Sequence, residues 1–189
     1  MFDDLQLIEL TKQGHLKAYK SLISKYKDRI YNIAFSFTAN ADESEDIAQK
    51  VFLKAYSNLN SFLKKSAFST WLYRIAVNEC CSALSRKKHN AADLDAPIGQ
   101  EESLYLKDLI EDKTLCAENI LLSKEMQTLI RKCISALPDK YKAVITLREM
   151  EDISYKEIAD ILKISRQKVK IRLFRARNKL KEIIKKEIK

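Results

Sequence analysis

Hydrophobic residues along this chain fall in steps of three and four. Leu16, Tyr19, Leu22, Ile23 and Tyr26 form one stripe, which Ile30, Ile33, Ala34 and Phe37 continue. That spacing gives an α-helix a single apolar face. A polar break follows at Thr38-Ala39-Asn40-Ala41-Asp42, and the period resumes from Ser44 with Ile47, Ala48, Val51, Phe52, Ala55 and Tyr56. The stretch from Asn58 to Ser66 reads as a loop. A further helix starts at Phe68, carries Leu72, Ile75 and Ala76, and ends in Ser85-Arg86-Lys87-Lys88-His89-Asn90.

The period fades from 91 to 115, where Pro97, Gly99 and most of the acidic excess lie. This segment reads as a linker with one short helix around Leu104 to Ile110. Beyond Cys116, Ile120, Leu121, Met126, Leu129, Ile130, Cys133, Ile134 and Leu137 predict a helix stopped by Pro138, a residue suited to the first turn of the next helix. Then "SYKEIADILKISRQKVKIRLFRAR" holds two short helices separated by Lys163-Ile164-Ser165. Ser154 caps the first, with Glu157 three residues on to complete a capping box, and Ser165 caps the second. Ile158, Leu162, Ile164, Val169 and Leu173 point inward, and small Ala159 sits where the helices cross. This is the pattern of a helix-turn-helix. The expected fold is all-α: two small helical domains, 1–90 and 116–189, joined by an acidic linker at 91–115.

Composition supports that class. Only two Gly and two Pro occur in 189 residues, with 46% hydrophobic and 32% charged residues, a balance of helix formers over turn formers typical of a globular helical chain. No apolar run reaches the roughly 18 to 20 residues that a membrane span needs. The acidic start Met1-Phe2-Asp3-Asp4 lacks a signal-peptide pattern. A cytoplasmic protein without membrane insertion is expected. Cys80, Cys81, Cys116 and Cys133 contain no CxxC pair, so reduced, buried thiols are expected rather than a metal site, and no cofactor motif is present.

The net charge of +9 is uneven. Nine acidic residues face three lysines between Asp93 and Glu125, whereas twelve basic residues face two glutamates from Lys163 to Lys189. The basic end holds the second helix of the helix-turn-helix, the one that enters a major groove. Arg166, Gln167, Lys170, Ile171, Phe174 and Arg175 lie on its open side. Arg and Gln read base edges, Phe meets a thymine methyl, and cations neutralise phosphates. A solvated surface helix and a membrane-surface helix are the competing readings, but the latter lacks a bulky apolar wall. In the first domain, Phe52, Tyr56, Phe62, Phe68, Trp71 and Tyr73 interleave with Lys54, Lys64, Lys65, Arg74, Arg86, Lys87 and Lys88. Such pairing suits unstacked single-stranded bases, although the spacing also places Phe52, Phe68 and Trp71 in a core. An enzyme is not expected. Asp42, Glu43, Glu45 and Asp46 cluster, but at a helix start where the dipole alone favours them, and no Ser-His-Asp, Cys-His or Walker pattern occurs.

At these residues the chain resembles a known family. "EDIAQKVFLKAY" and "FSTWLYRIAVN" resemble the second conserved region, and "LPDKYKAVITLREMEDISYKEIADILKISRQKVKIRLFRARNKL" the fourth, of extracytoplasmic-function (group IV) RNA polymerase sigma factors of the sigma-70 family. The resemblance implies a factor that brings core RNA polymerase to promoter DNA and has no small-molecule substrate. It also implies an anti-sigma factor as partner, often a membrane-bound one. It assigns Asp46, Gln49, Lys50 and Phe52 to polymerase docking, with Lys50 standing where the family has an acidic residue. It assigns Asn58, Ser61, Phe62, Lys64, Lys65, Trp71 and Asn78 to −10 strand separation and base capture, with Arg86 and Lys87 on phosphates. An Asn amide both donates to and accepts from a flipped base. Ser165, Arg166, Gln167, Lys170, Ile171, Arg172, Phe174 and Arg175 fall at the −35 element. Lys168 and Ile171 replace a small and a polar residue of the family pattern, and Lys163 replaces a turn glycine. The linker reads either as a segment threading toward the polymerase active centre or as a tether extended by its charge. A stand-alone helix-turn-helix regulator is the alternative, and it predicts specific DNA binding without polymerase.

Overall fold

A computed structural model of the chain describes residues 3–92 and 124–187. The expected linker helix around 104–110 and the residues 93–123 lie outside the described residues. Among the described residues the fold is helical, with no strand. Helix α1 spans Asp4–Lys12, α2 Leu16–Thr38, α3 Ala41–Ser57 and α4 Phe68–Ala92. Helices α5 (Lys124–Ser135), α6 (Asp139–Ile145), α7 (Tyr155–Leu162) and α8 (Arg166–Glu187) follow.

Capping sets several of these boundaries. Asp3 and Gln6 form a capping box at α1, and Asn40 accepts the Glu43 N–H at the start of α3. Helix α2 ends at Ala39 in the left-handed conformation, φ 51°. Pro138 stands just before α6, where its missing N–H costs nothing. A π-helical turn, Thr146–Met150, extends α6, and the Glu151 N–H reaches back to the Thr146 carbonyl at 3.2 Å.

The long α2 is the organising element, packed against α1, α3 and α4. Ile8, Leu22, Ile30, Ile33, Phe37, Val51, Leu72 and Tyr73 are buried between these helices. In the C-terminal group, Ile134, Val144, Ile145, Leu147, Ile158, Val169 and Leu173 are buried. The two groups share one continuous apolar cluster, with α5 and the end of α6 against α2, and α7 against α4. That contact alters the expected inward face of α7. Ile161, absent from the predicted stripe, is buried, while Leu162 and Ile164 are half-buried, because α7 meets α4 on one side and α8 on another. Tyr56 and Leu16, both counted in apolar stripes, are exposed.

Candidate functional site

Three surfaces carry the candidate residues. The first is the outer face of α3. Its inner positions Ile47, Val51 and Ala55 are buried, and so Asp46, Gln49 and Lys50 point outward and are exposed. Phe52 is half-buried, its carbonyl accepting the Tyr19 hydroxyl at 2.5 Å. Leu53 was missed by the sequence reading, yet it is 68% exposed. It lies four residues after Gln49 and therefore shares that residue's face. An exposed leucine beside three polar groups is the usual make-up of a docking patch.

The second surface runs from the end of α3 along α4. Asn58 caps α3, its backbone N–H donating to the Lys54 carbonyl at 3.0 Å and its amide to the same oxygen at 2.8 Å. The Ser61 hydroxyl donates to the Asn58 carbonyl at 2.7 Å. These bonds build the 3₁₀ turn Leu59–Ser61, so both residues shape the loop. Phe62 departs from its expected role. It is 3% exposed, with its ring centroid 5.8 Å from Phe68 and 5.5 Å from Trp71. It supports the loop from beneath and offers no face to a base. Lys64 and Lys65 are exposed, Lys64 in the left-handed region at φ 56° and paired with Glu9 at 2.9 Å.

Trp71 is half-buried against Phe62 and Phe68 and leaves part of its indole open. Asn78, seven residues on and thus on the same side of α4, is exposed at a cleft of about 260 Å³. Arg74, Lys163 and Arg172 also line that cleft. Arg86 is exposed, its Nε donating to the Ser82 carbonyl at 3.2 Å. The Lys87 side chain lies outside the described residues.

The third surface is α8. The Ser165 hydroxyl accepts the Lys168 N–H at 3.1 Å, and Ser154 and Glu157 complete the capping box of α7. Val169, Leu173 and Ala176 are buried beneath α8. Arg166, Gln167, Lys170 and Phe174 stand exposed on it, with Phe174 at 51%. Ile171, Arg172 and Arg175, expected on the open side, are half-buried; the cleft beside α4 takes up Arg172. The turn residue Lys163 has φ 53°, which explains why a glycine suits that position.

The remaining chemistry is structural. Burial pushes the Cys80 thiol up, and the Cys133 thiol in the same direction, so neither is a ready thiolate. Among the described residues, no group of three His, Cys, Asp or Glu is placed to hold a metal ion. No described helix is long and apolar enough to cross a membrane.

Comparison with known proteins decides what these surfaces belong to. Residues 22–90 match the family model of sigma-70 region 2, and residues 127–180 that of sigma-70 region 4. The chain is 37% identical over 175 residues to the ECF RNA polymerase sigma factor SigW of Bacillus subtilis (strain 168), covering 93% of each chain. The chain belongs to the ECF RNA polymerase sigma factors. It is also 34% identical over 189 residues to the ECF RNA polymerase sigma-E factor of Escherichia coli (strain K12), with 96% of each chain covered. Two solved structures share the fold. One is CnrH in complex with the cytosolic domain of CnrY, at TM-score 0.66 and 20% identity, covering 96% of this chain and 97% of that one. The other is the sigma factor RpoE in complex with the anti-sigma factor NepR from Bartonella quintana, at TM-score 0.66 and 22% identity, covering 89% and 98%. An ECF sigma factor directs RNA polymerase to promoters and starts transcription there, inside the cell, as a DNA-binding initiation factor. All three surfaces fall within the two matched regions.

Proposed function

We propose that the three surfaces divide the work of initiation. Residues 1–90 act as one domain: the α3 face of Asp46, Gln49, Lys50 and Leu53 docks on core polymerase, and Trp71 and Asn78 hold the melted −10 strand. Lys64, Lys65, Arg86 and Lys87 bind its phosphates. Residues 116–189 act as the second domain, in which Arg166, Gln167, Lys170 and Phe174 read the duplex −35 element, flanked by Arg172 and Arg175. The observation that carries this reading is the sorting of α8: Val169, Leu173 and Ala176 are buried while the polar and basic positions between them are exposed. Such a helix offers donors to a major groove without disturbing its core.

The factor performs no catalysis of its own and works in the cytoplasm. It also takes an anti-sigma factor as a protein partner; one relative of like fold was solved with such a partner, NepR.

The test is transcription by reconstituted holoenzyme on two templates. Asn78→Ala should depress initiation on a fully duplex promoter by roughly tenfold or more, the effect of losing one bidentate base contact of ~1–3 kcal/mol. On a template with the −10 region already open the loss should shrink. Equal losses on both would leave base capture but remove strand melting. No loss on either would remove Asn78 from the site.

A further inference from the structure

The loop that follows the 3₁₀ turn is pinned at its ends and open in its middle. Phe62 and Phe68 are each 3% exposed, with ring centroids 5.8 Å apart, while Leu63, Lys64 and Lys65 between them are exposed. Among the described residues, one ion pair reaches positions 63–65: the Glu9 carboxylate of α1 meets the Lys64 ammonium at 2.9 Å. Lys64 also takes the left-handed φ of 56°, which is disfavoured wherever a Cβ is present. The pair therefore ties the loop to α1 at the residue where its backbone is least relaxed.

Helix α1 is a fixed support for that tie. Leu7 and Ile8, on either side of the turn that carries Glu9, are buried. The capping box of Asp3 and Gln6 starts the helix, and Asp4 accepts from the Tyr26 hydroxyl and from Lys25 of α2. Packing against both α2 and the 3₁₀ turn sets α1 beside the loop. The hydrogen bond from Lys64, and then its charge, hold the Glu9 carboxyl below its ordinary 4.5, so Glu9 is an anion at neutral pH.

Glu9 and Lys64 are each 48% exposed at the side chain, and a pair so open to water adds little to folding. Its effect lies in where it puts the ammonium. A lone lysine turns through many rotamers and attracts any phosphate at any sequence. A carboxylate at 2.9 Å fixes the direction of the ammonium and cancels most of its charge at a distance. What remains is a short-range donor that a phosphate meets only in the correct place. We propose that Glu9 is a positioning residue for −10 strand capture: it aims Lys64, holds the loop in its left-handed turn and suppresses capture of unrelated strands. The inference rests on the proposed contact between Lys64 and the −10 strand.

The experiment uses reconstituted holoenzyme on a template from which the parent initiates. Open complexes are read by permanganate reactivity of the −10 thymines. Binding is read, over a range of salt, to single strands carrying that −10 sequence or a scrambled one. In Glu9→Ala, open complexes should fall about threefold while binding to the scrambled strand rises about threefold, each within reach of one exposed charge pair. The salt dependence of log affinity should steepen by up to ~0.7, the value of one phosphate contact on a single strand. Glu9→Gln should recover the open complexes, because its amide oxygen still accepts from the ammonium, yet keep the steeper salt dependence. In Lys64→Gly, where glycine takes the left-handed φ freely, adding Glu9→Ala should lower open complexes no further. A Glu9→Ala protein with its melting temperature and open complexes unchanged overturns the proposal. So does a fall in both promoter and scrambled-strand binding, the outcome of a merely structural role, or an undiminished Glu9→Ala effect in the Lys64→Gly background. The reading of Lys64 fails separately, by a Lys64→Gly holoenzyme that opens the promoter and binds both strands as the parent does.

Discussion

Phe62 shows how one residue changes role between sequence and structure. Its place among cations in a loop suits base stacking, yet its ring sits edge-on to Phe68 and against Trp71, out of solvent. Phe62→Ala should therefore behave as a core truncation. We expect a loss of about 3–5 kcal/mol in unfolding free energy, read by denaturant titration, with Trp71 fluorescence reporting the lost neighbour. A variant that keeps its stability but loses −10 binding would return Phe62 to the DNA. Sequence spacing did not separate the two roles because Phe62 lies outside any periodic helix, where only the fold of the loop says which side it faces. Asn78 and Lys163 were more legible. Asn78 stands at helical spacing from Trp71, and Lys163 fills a turn where the left-handed φ is set by the two flanking helices.

At the scale of elements, α3 carries the clearest division of faces. Ile47, Val51 and Ala55 go inward, and Asp46, Gln49, Lys50 and Leu53 go out. Lys50 is the departure from the family pattern on that outward face. Lys50→Glu should leave folding unchanged, because the side chain is exposed, and should tighten core binding by up to ~1 kcal/mol, the usual ceiling for an exposed ion pair. Competition between parent and variant for limiting core polymerase measures it; unchanged affinity places position 50 outside the interface. Helices α7 and α8 behave similarly. The capping box at Ser154 and the Ser165 cap were visible as sequence signals and both form. The half-burial of Ile171, Arg172 and Arg175 was not visible, because it depends on how α8 packs against α5, α6 and α7.

For the whole molecule, the seam between the halves contains a titratable group. Burial pushes the Glu151 carboxyl up from its ordinary 4.5 to about 7, against the opposing pull of Arg29 on α2. Tyr73 of α4 shares the Arg29 guanidinium, Glu157 of α7 acts on that tyrosine, and Arg148 and Asp152 flank Glu151 on its own segment. A carboxyl whose value is raised in the folded chain binds its proton more tightly there than in the unfolded one. Its contribution to folding stability is fully present below about 4.5 and lost as pH rises through about 7. The unfolding free energy, read by denaturant titration at a series of pH values, should accordingly lose that contribution across that interval. Glu151→Gln, neutral throughout, should flatten the curve and keep that stability at pH 8. A Gln variant with an unchanged profile would exclude Glu151 as the titrating group.

The sequence by itself determined the local elements, the helix-turn-helix with its caps, and the family. Periodicity and capping act over a few residues, and the two family regions are linear motifs. It also named the residues proposed to meet DNA. The tertiary structure alone decided which of them remain available. Phe62 goes inward because Phe68 and Trp71 close over it, and Ile161 is buried because α4 lies against α7. Arg74, Lys142, Arg131 and Glu151 meet partners from the other half of the chain, some of them backbone carbonyls. A carbonyl leaves no mark in the sequence, and pairs separated by a hundred residues obey no local period; only packing brings them together.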